Sequence, residues 1–155
     1  SSFVRIASSG RPKIADYPFT TKGVSLGHFD RGARRYQILD TPGLLDRPME
    51  KRNRLERQAI AALTHLANGV IFLLDPTGTC GYPIEDQQHL LADVRSLFPD
   101  VPIAVVENKA DLGGPGFGHP RISALTGDGV REALDALLTQ LTSRGPAAAP
   151  RRAGP

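Results

Sequence analysis

Apolar positions along this chain recur with two different periods. Across residues 53–67 they fall at Leu55, Ala59, Ala62, Leu63 and Leu66, a spacing that predicts one apolar face of a helix. Residues 84–98 repeat the pattern with Leu90, Leu91, Val94 and Leu97 inward. Residues 126–141 do so with Val130, Leu134, Leu137, Leu138 and Leu141. Between these segments lie nearly unbroken apolar runs. Val70-Ile71-Phe72-Leu73-Leu74 reads as a central parallel strand buried on both faces, and Val101-Pro102-Ile103-Ala104-Val105-Val106 as a second. Residues 23–29 and 34–39 alternate only partly and suit an edge hairpin turned across residues 30–33. Residues 3–8 read as the end of a helix, 10–22 as a loop and 121–123 as a short last strand. Helices alternating with strands imply right-handed crossovers and an α/β fold, a mostly parallel sheet with flanking helices.

Composition narrows the classes. With 155 residues, 40% hydrophobic and 23% charged, the chain suits one globular domain. Residues 143–155, rich in Ala, Pro and Arg, read as a disordered tail, which leaves residues 1–142 as the domain. The net charge of +3, from 19 basic against 16 acidic residues, permits RNA contact without demanding it and gives no reason to expect DNA binding. No apolar run approaches the roughly 20 residues that span a bilayer, so no membrane is expected. A single cysteine, Cys80, excludes an internal disulfide. The four histidines do not share metal-ligand spacing. The glycine-rich stretch 113–118 reads as a flexible loop.

Chemistry concentrates at strand ends, where ligands bind in open α/β folds. Asn108-Lys109-Ala110-Asp111 follows the run ending at Val106 and Glu107. A carboxylate at Asp111 accepts from both N1–H and the 2-amino group of guanine, whereas adenine offers neither donor. Asn108 can donate to guanine O6 or N7, and the Lys109 stem can lie along the base. Asp40-Thr41-Pro42-Gly43 ends another strand. An aspartate there can hold Mg²⁺ through a water, and Gly43 lets a backbone N–H approach a γ-phosphate because no Cβ intervenes. Ile122-Ser123-Ala124-Leu125 would close over the base, with the Ala124 N–H reaching O6. In Tyr17-Pro18-Phe19-Thr20-Thr21, a threonine hydroxyl could ligate Mg²⁺ only while a γ-phosphate is present. Taken singly, each segment is equally well an ordinary turn; their order and their places after strands favour a guanine-nucleotide site. Glu107 itself is expected to pair with a Lys or Arg at the strand end.

Longer runs carry a family resemblance. Lys13-Ile14-Ala15-Asp16-Tyr17-Pro18-Phe19-Thr20-Thr21-Lys22-Gly23 resembles the first switch of Obg-related GTPases. Asp40-Thr41-Pro42-Gly43-Leu44-Leu45-Asp46-Arg47-Pro48, Glu56-Arg57-Gln58-Ala59-Ile60 and Asp75-Pro76-Thr77-Gly78-Thr79-Cys80-Gly81-Tyr82 are similar to the narrower Nog branch. That branch comprises the nucleolar GTP-binding proteins and their archaeal relatives, and an archaeal-type member is expected. The resemblance runs from Ser1 to about Leu141. It implies a P-loop NTPase of Ras-like fold that binds GTP or GDP with Mg²⁺. The implied role is a GTPase in large ribosomal subunit assembly, with the subunit or its precursor, rRNA and ribosomal proteins as partners. The implied location is the cytoplasm on ribosomes, or the nucleolus in a eukaryote.

Residue by residue, the resemblance implies Mg²⁺ ligation by Ser1 and Thr21 directly and by Asp40 through water. It implies γ-phosphate contacts from Thr21 and Gly43, and guanine contacts from Asn108, Lys109, Asp111, Ser123, Ala124 and Leu125. Gly-x-x-x-x-Gly-Lys-Ser/Thr, the phosphate loop of this class, does not occur. Counting back along the family pattern puts Ser1 on that loop's serine. The expectation is therefore a piece of a longer protein that lacks the loop and the first strand. Such a piece should have a slot between the strands ending at Asp40 and Asp75, low stability and weak nucleotide affinity. Where many GTPases carry a water-orienting Gln, this chain has Leu44 and Leu45, so slow intrinsic turnover is expected. Lys51-Arg52-Asn53-Arg54 with Arg57 offers a basic face to RNA or a ribosomal protein. The alternative is an interaction fragment that works without nucleotide; an ATPase on the same fold is disfavoured by Asp111.

Overall fold

The computed structural model describes residues 2–16, 23–40, 43–45 and 49–144. The expected contributions of Ser1, Tyr17 to Thr21, Asp46 to Pro48 and the tail from 145 therefore lie outside the described residues. Besides 3-10 turns at Met49–Lys51 and Ala110–Leu112, nine α-helices and strands follow in chain order among the described residues. They are α1 (Ser2–Ala7), β1 (Lys13–Ala15), β2 (Val24–Arg31), β3 (Arg34–Asp40), α2 (Arg54–Leu66), β4 (Val70–Leu74), α3 (Ile84–Leu97), β5 (Ile103–Glu107) and α4 (Val130–Ser143).

The expected hairpin is β2–β3, but its turn is tighter than the sequence suggested. Arg31 pairs with Arg34, so only Gly32 and Ala33 turn the chain, and Gly32 takes the positive φ of 59° that such a turn needs. β1 was not anticipated inside the segment read as loop. It is three residues long and pairs antiparallel with β2 from Lys13↔Leu26 to Ala15↔Val24, too short to leave a period in the sequence. α1 packs on β2 at Gly27, where a Cβ would collide with Ser8 Oγ.

β4 and β5 pair in parallel register, Val70↔Ile103 through Leu74↔Glu107, and Arg121 adds a single parallel bridge to Glu107 in place of the expected last strand. Among the described residues β1–β2–β3 and β4–β5 form two separate sheets, an arrangement in keeping with a slot between the Asp40 and Asp75 strands. This corrects the reading of β4 as buried on both faces. Only Leu74 is fully buried; Leu73 is 37% exposed, and Leu39 on β3 is 38% exposed. Among the described residues β4 pairs with β5 alone.

The helices anchor three apolar clusters. Phe3, Phe29, Val106, Ile122, Ala124, Val130, Ala133 and Leu134 join α1 and α4 to the strands. Leu44, Ala59, Ile60, Leu63, Val94 and Phe98 form the second cluster, and Leu74, Leu91 and Val105 the third. α2 starts with a reciprocal capping box between Asn53 and Glu56. Its buried face is Ala59, Ile60 and Leu63, while the expected Leu55 and Leu66 lie exposed. Of the expected face Ala59 and Leu63 are buried and Ala62 is half-buried, so the true face is turned toward Ile60. α4 begins at Val130, four residues later than the pattern suggested, because Gly127 and Gly129 adopt positive φ in the turn before it.

Candidate nucleotide-binding site

β5 delivers Asn108 to the carboxyl edge of its sheet, where the Asn108 N–H donates to Leu74 O at 2.8 Å and ties the two strand ends together. Lys109 then takes φ 62°, the one positive φ at a non-glycine among the described residues. A left-handed lysine is sparsely populated and is kept where its surroundings over-determine it. The Ala110 N–H donates to Ile122 O at 2.9 Å, which brings the 122–125 segment beside the 108–111 turn.

Two side-chain bonds then lock the two segments. The Ala124 N–H donates to Asn108 Oδ1 at 2.9 Å. Ser123 Oγ donates to Asp111 Oδ1 at 2.5 Å, and the same hydroxyl accepts from the Thr126 N–H at 3.2 Å. Ser123 and Ala124 are buried, while Asp111 remains exposed. The result is a rigid corner with a carboxylate at its rim, suited to a ligand edge that carries two adjacent donors. One expectation changes. The Ala124 N–H is committed to Asn108 here, so it is not aimed freely at a base oxygen. Leu125 is 69% exposed at the rim of this corner.

Lys109 is held from β4. Its Nζ lies 2.6 Å from Asp75 Oδ2 and donates also to Thr79 Oγ1. Asp75 accepts from the Thr77 N–H at 3.0 Å, Thr77 Oγ1 at 2.5 Å and the Cys80 N–H at 2.8 Å. Burial alone would raise the Asp75 pKa. The Lys109 ammonium, with the hydrogen bonds from Thr77 and Cys80, outweighs burial and holds the carboxyl well below the usual carboxylate range. Gln87 of α3 supports the same loop: its Oε1 accepts from the Asp75 N–H at 2.7 Å and its Nε2 donates to Asp75 O and Tyr82 O, each at 3.0 Å.

Glu107 is fully buried, and its partners differ from those expected. Its Oε1 accepts from the backbone N–H groups of Phe117 at 2.6 Å and His119 at 3.1 Å, not from a Lys or Arg. The stretch expected to be a flexible loop is thus fastened beneath the base corner, and Arg121 Nη2 adds a bond to Gly113 O at 3.2 Å. Gln87 and Glu107 were not singled out as functional by sequence. A polar residue on the apolar face of a predicted helix is the signal that could have found Gln87.

At the end of β3 stand Asp40 and, beyond two residues outside the description, Gly43 at φ 74°. Arg52 Nη1 donates to Gly43 O at 2.6 Å. Arg52 is buried, with its Nη1 4.0 Å from Glu56 Oε1, so the basic face expected for RNA loses that member; Arg54 and Arg57 remain exposed. Leu44 is buried in the α2–α3 cluster, so its side chain is turned into the core. Among the described residues no group of three His, Cys, Asp or Glu converges as a metal site, and no helix is long and apolar enough to cross a membrane.

Comparison with known proteins agrees with this geometry. A family model described as nucleolar GTP-binding protein 1 matches residues 54–111. Nucleolar GTP-binding protein 1 of Arabidopsis thaliana is 46% identical over 112 residues, covering 72% of this chain and 17% of its own length. An uncharacterized protein of the archaeon Methanocaldococcus jannaschii is 45% identical over 112 residues, 72% of this chain and 31% of its own length. Among solved structures, one assigned to nucleolar GTP-binding protein 1 of Plasmodium falciparum is 33% identical with a TM-score of 0.78, over 92% of this chain and 80% of that one. The chain spans less than a third of the length of these curated plant and archaeal relatives.

Proposed function

From the premise that this chain belongs to the nucleolar GTP-binding protein 1 family, with the P-loop GTPase fold, we propose that it is the guanine-nucleotide-binding part of a GTPase acting in large ribosomal subunit assembly. The observation that carries the reading is the corner in which Ala124 bonds Asn108 and Ser123 bonds Asp111. Asp111 accepts N1–H and the 2-amino group of guanine, the Asn108 amide donates to O6 or N7, and the Lys109 stem lies against the base. Leu125 covers the base from the rim.

The phosphates extend toward Asp40 and Gly43. Asp40 stands at the carboxyl end of β3, and among the described residues no group of three His, Cys, Asp or Glu gathers there. That suits Mg²⁺, an ion that keeps several waters and takes most of its remaining ligands from phosphate oxygens. Ser1 and Thr21 would ligate it directly and Asp40 through water. Bound there, the ion neutralises charge on the phosphates during transfer. Thr21 and the Gly43 N–H contact the γ-phosphate. Leu44, buried in the core, offers nothing to orient an attacking water, so turnover is slow until a ribosomal partner or a cation supplies compensation. The partners in this reading are rRNA and ribosomal proteins of the large subunit precursor, met by the exposed Arg54 and Arg57. The eukaryotic relatives' names include the word nucleolar, which supports the nucleolar location expected for a eukaryotic member and lends nothing to a cytoplasmic one.

The test is titration of a fluorescent GTP analogue with Mg²⁺, in competition with GDP and ATP, followed by co-sedimentation with large ribosomal subunits. GDP must compete and ATP must not. Reversing charge at Arg54 and Arg57 must weaken co-sedimentation, and the loss must deepen with salt. Equal competition by ATP refutes the guanine site. Co-sedimentation without any nucleotide binding shifts the assignment to a nucleotide-independent interaction module.

A further inference from the structure

Asp75 does more than its sequence position requires. It ends β4, outside the base-reading turn, yet its carboxylate gathers donors from Thr77, Thr79, Cys80 and Lys109. Its own backbone N–H and C=O are both taken by the Gln87 amide. The loop is therefore anchored to α3 on one side and to the base-reading lysine on the other. Lys109 is meanwhile held in left-handed backbone, with its Nζ fixed at Asp75 and Thr79.

We propose that Asp75 is a positioning residue for the purine site, which it serves through Lys109. This rests on the guanine-nucleotide reading above and deepens it. A free lysine side chain loses much rotameric freedom when it is laid along a base. Here that freedom is already spent inside the protein, so binding does not have to supply it. The same contact gives the ammonium an anion of its own, which leaves the Asp111 carboxylate to the base. Gln87 extends the coupling: a shift of α3 moves Asp75 and, with it, the lysine.

A double-mutant cycle tests this, with Asp75→Asn, Lys109→Met and both together, read by titration of fluorescent GDP. Asn keeps the size and one acceptor oxygen of Asp75, and Met keeps most of the lysine stem. Asp75→Asn should weaken GDP binding on the order of 10-fold, the cost of ordering one long side chain plus a lost charged contact. In the Lys109→Met background the same change should have almost no further effect. Thr79→Val, which removes one Lys109 contact and the Thr79 donor to Asp75 while the Thr77 and Cys80 donors remain, should weaken binding about 3-fold by the same side-chain ordering argument.

A second readout needs no nucleotide. The Lys109 ammonium should give a protected ¹⁵N resonance that disappears in Asp75→Asn while the amide spectrum of β4, β5 and α3 is kept. An Asp75→Asn effect of equal size in both backgrounds, or a Lys109 resonance unchanged by the substitution, overturns the proposal. Failure of the guanine reading looks different: ADP would then compete as well as GDP in the parent chain, and Asp111→Asn would leave that competition unaltered.

Discussion

At the carboxyl end of β5 the residues expected to read a base hold one another. Asn108 is bonded to Ala124, Asp111 to Ser123 and Lys109 to Asp75. At the end of β3 the construction is different: Gly43 is gripped from the segment leading into α2, by Arg52 on its carbonyl. The first arrangement joins strand ends to strand ends. The second joins a loop to a helix start, so Gly43 and α2 are coupled. A base has one shape throughout a nucleotide cycle, and a prebuilt corner suits it. A γ-phosphate comes and goes, and a contact that reports its presence works through a segment tied to a helix start. The comparison predicts that substitutions at the two ends separate selectivity for the base from response to the phosphate.

The largest effect should follow Asp111→Asn. Two donors of guanine lose a charged acceptor, each such bond being worth roughly 1.5–3 kcal/mol, so GDP affinity should fall by at least about 100-fold. Xanthosine diphosphate, whose C2 carbonyl accepts, should gain. A competition titration decides it, and retained guanine preference removes the base assignment. Next comes Glu107→Ala, which leaves the Phe117 and His119 N–H groups without their acceptor. Stability should fall by about 1–3 kcal/mol in urea unfolding, whereas Glu107→Gln, with its amide oxygen in place, should cost less.

Arg52→Met should have a smaller and more local effect. It removes the donor to Gly43 O and should lower stability by about 1–2 kcal/mol. The discrimination between GDP and ADP should stay intact, since the bond removed goes to Gly43 and not to the base corner. A change in that discrimination would show that the two ends are not independent.

The smallest effect concerns the pH dependence that Asp75 contributes. Its folded-state pKa is held below its unfolded value, so the stability it contributes is fully present above the ordinary carboxylate range. That contribution is lost only as pH falls through the depressed folded value. Near neutrality Asp75 should therefore add no pH dependence to the unfolding midpoint, while Asp75→Asn should lower that midpoint by its full contribution. Asp75→Asn should flatten part of the decline below the ordinary carboxylate pKa. An identical acid limb in the variant would mean that the carboxylate is not held as the geometry indicates.

Much of the base end was legible because its chemistry is local. Asn108, Lys109 and Asp111 sit within four residues, their donors and acceptors match one base, and an unmistakable apolar run places them at a strand end. Asp75 was visible only as part of a family-like run. Its hold on Lys109 joins positions 34 apart in the chain, which no periodicity reports. Glu107 was expected to pair with a Lys or Arg at the strand end and Arg52 to lie on a basic face, because charged side chains are rarely buried. Both are buried, and both bond backbone groups of loops that the sequence alone does not place. The face of α2 was misjudged because two adjacent rows of apolar residues satisfy one period. The exposure of Leu73 follows from strand pairing and not from the residues of β4, so its apolar run could not foretell it.

The central claim is that the corner of Asn108, Asp111, Ser123 and Ala124 recognises guanine by itself. Its most direct test is an amide chemical-shift titration of this chain with GMP and, in parallel, with AMP. These nucleotides carry no β- or γ-phosphate and so address the base end alone. GMP should shift the amides of residues 108–112 and 122–126, and AMP should leave them in place. Equal shifts with both nucleotides, or no shift there with GMP, would contradict the account.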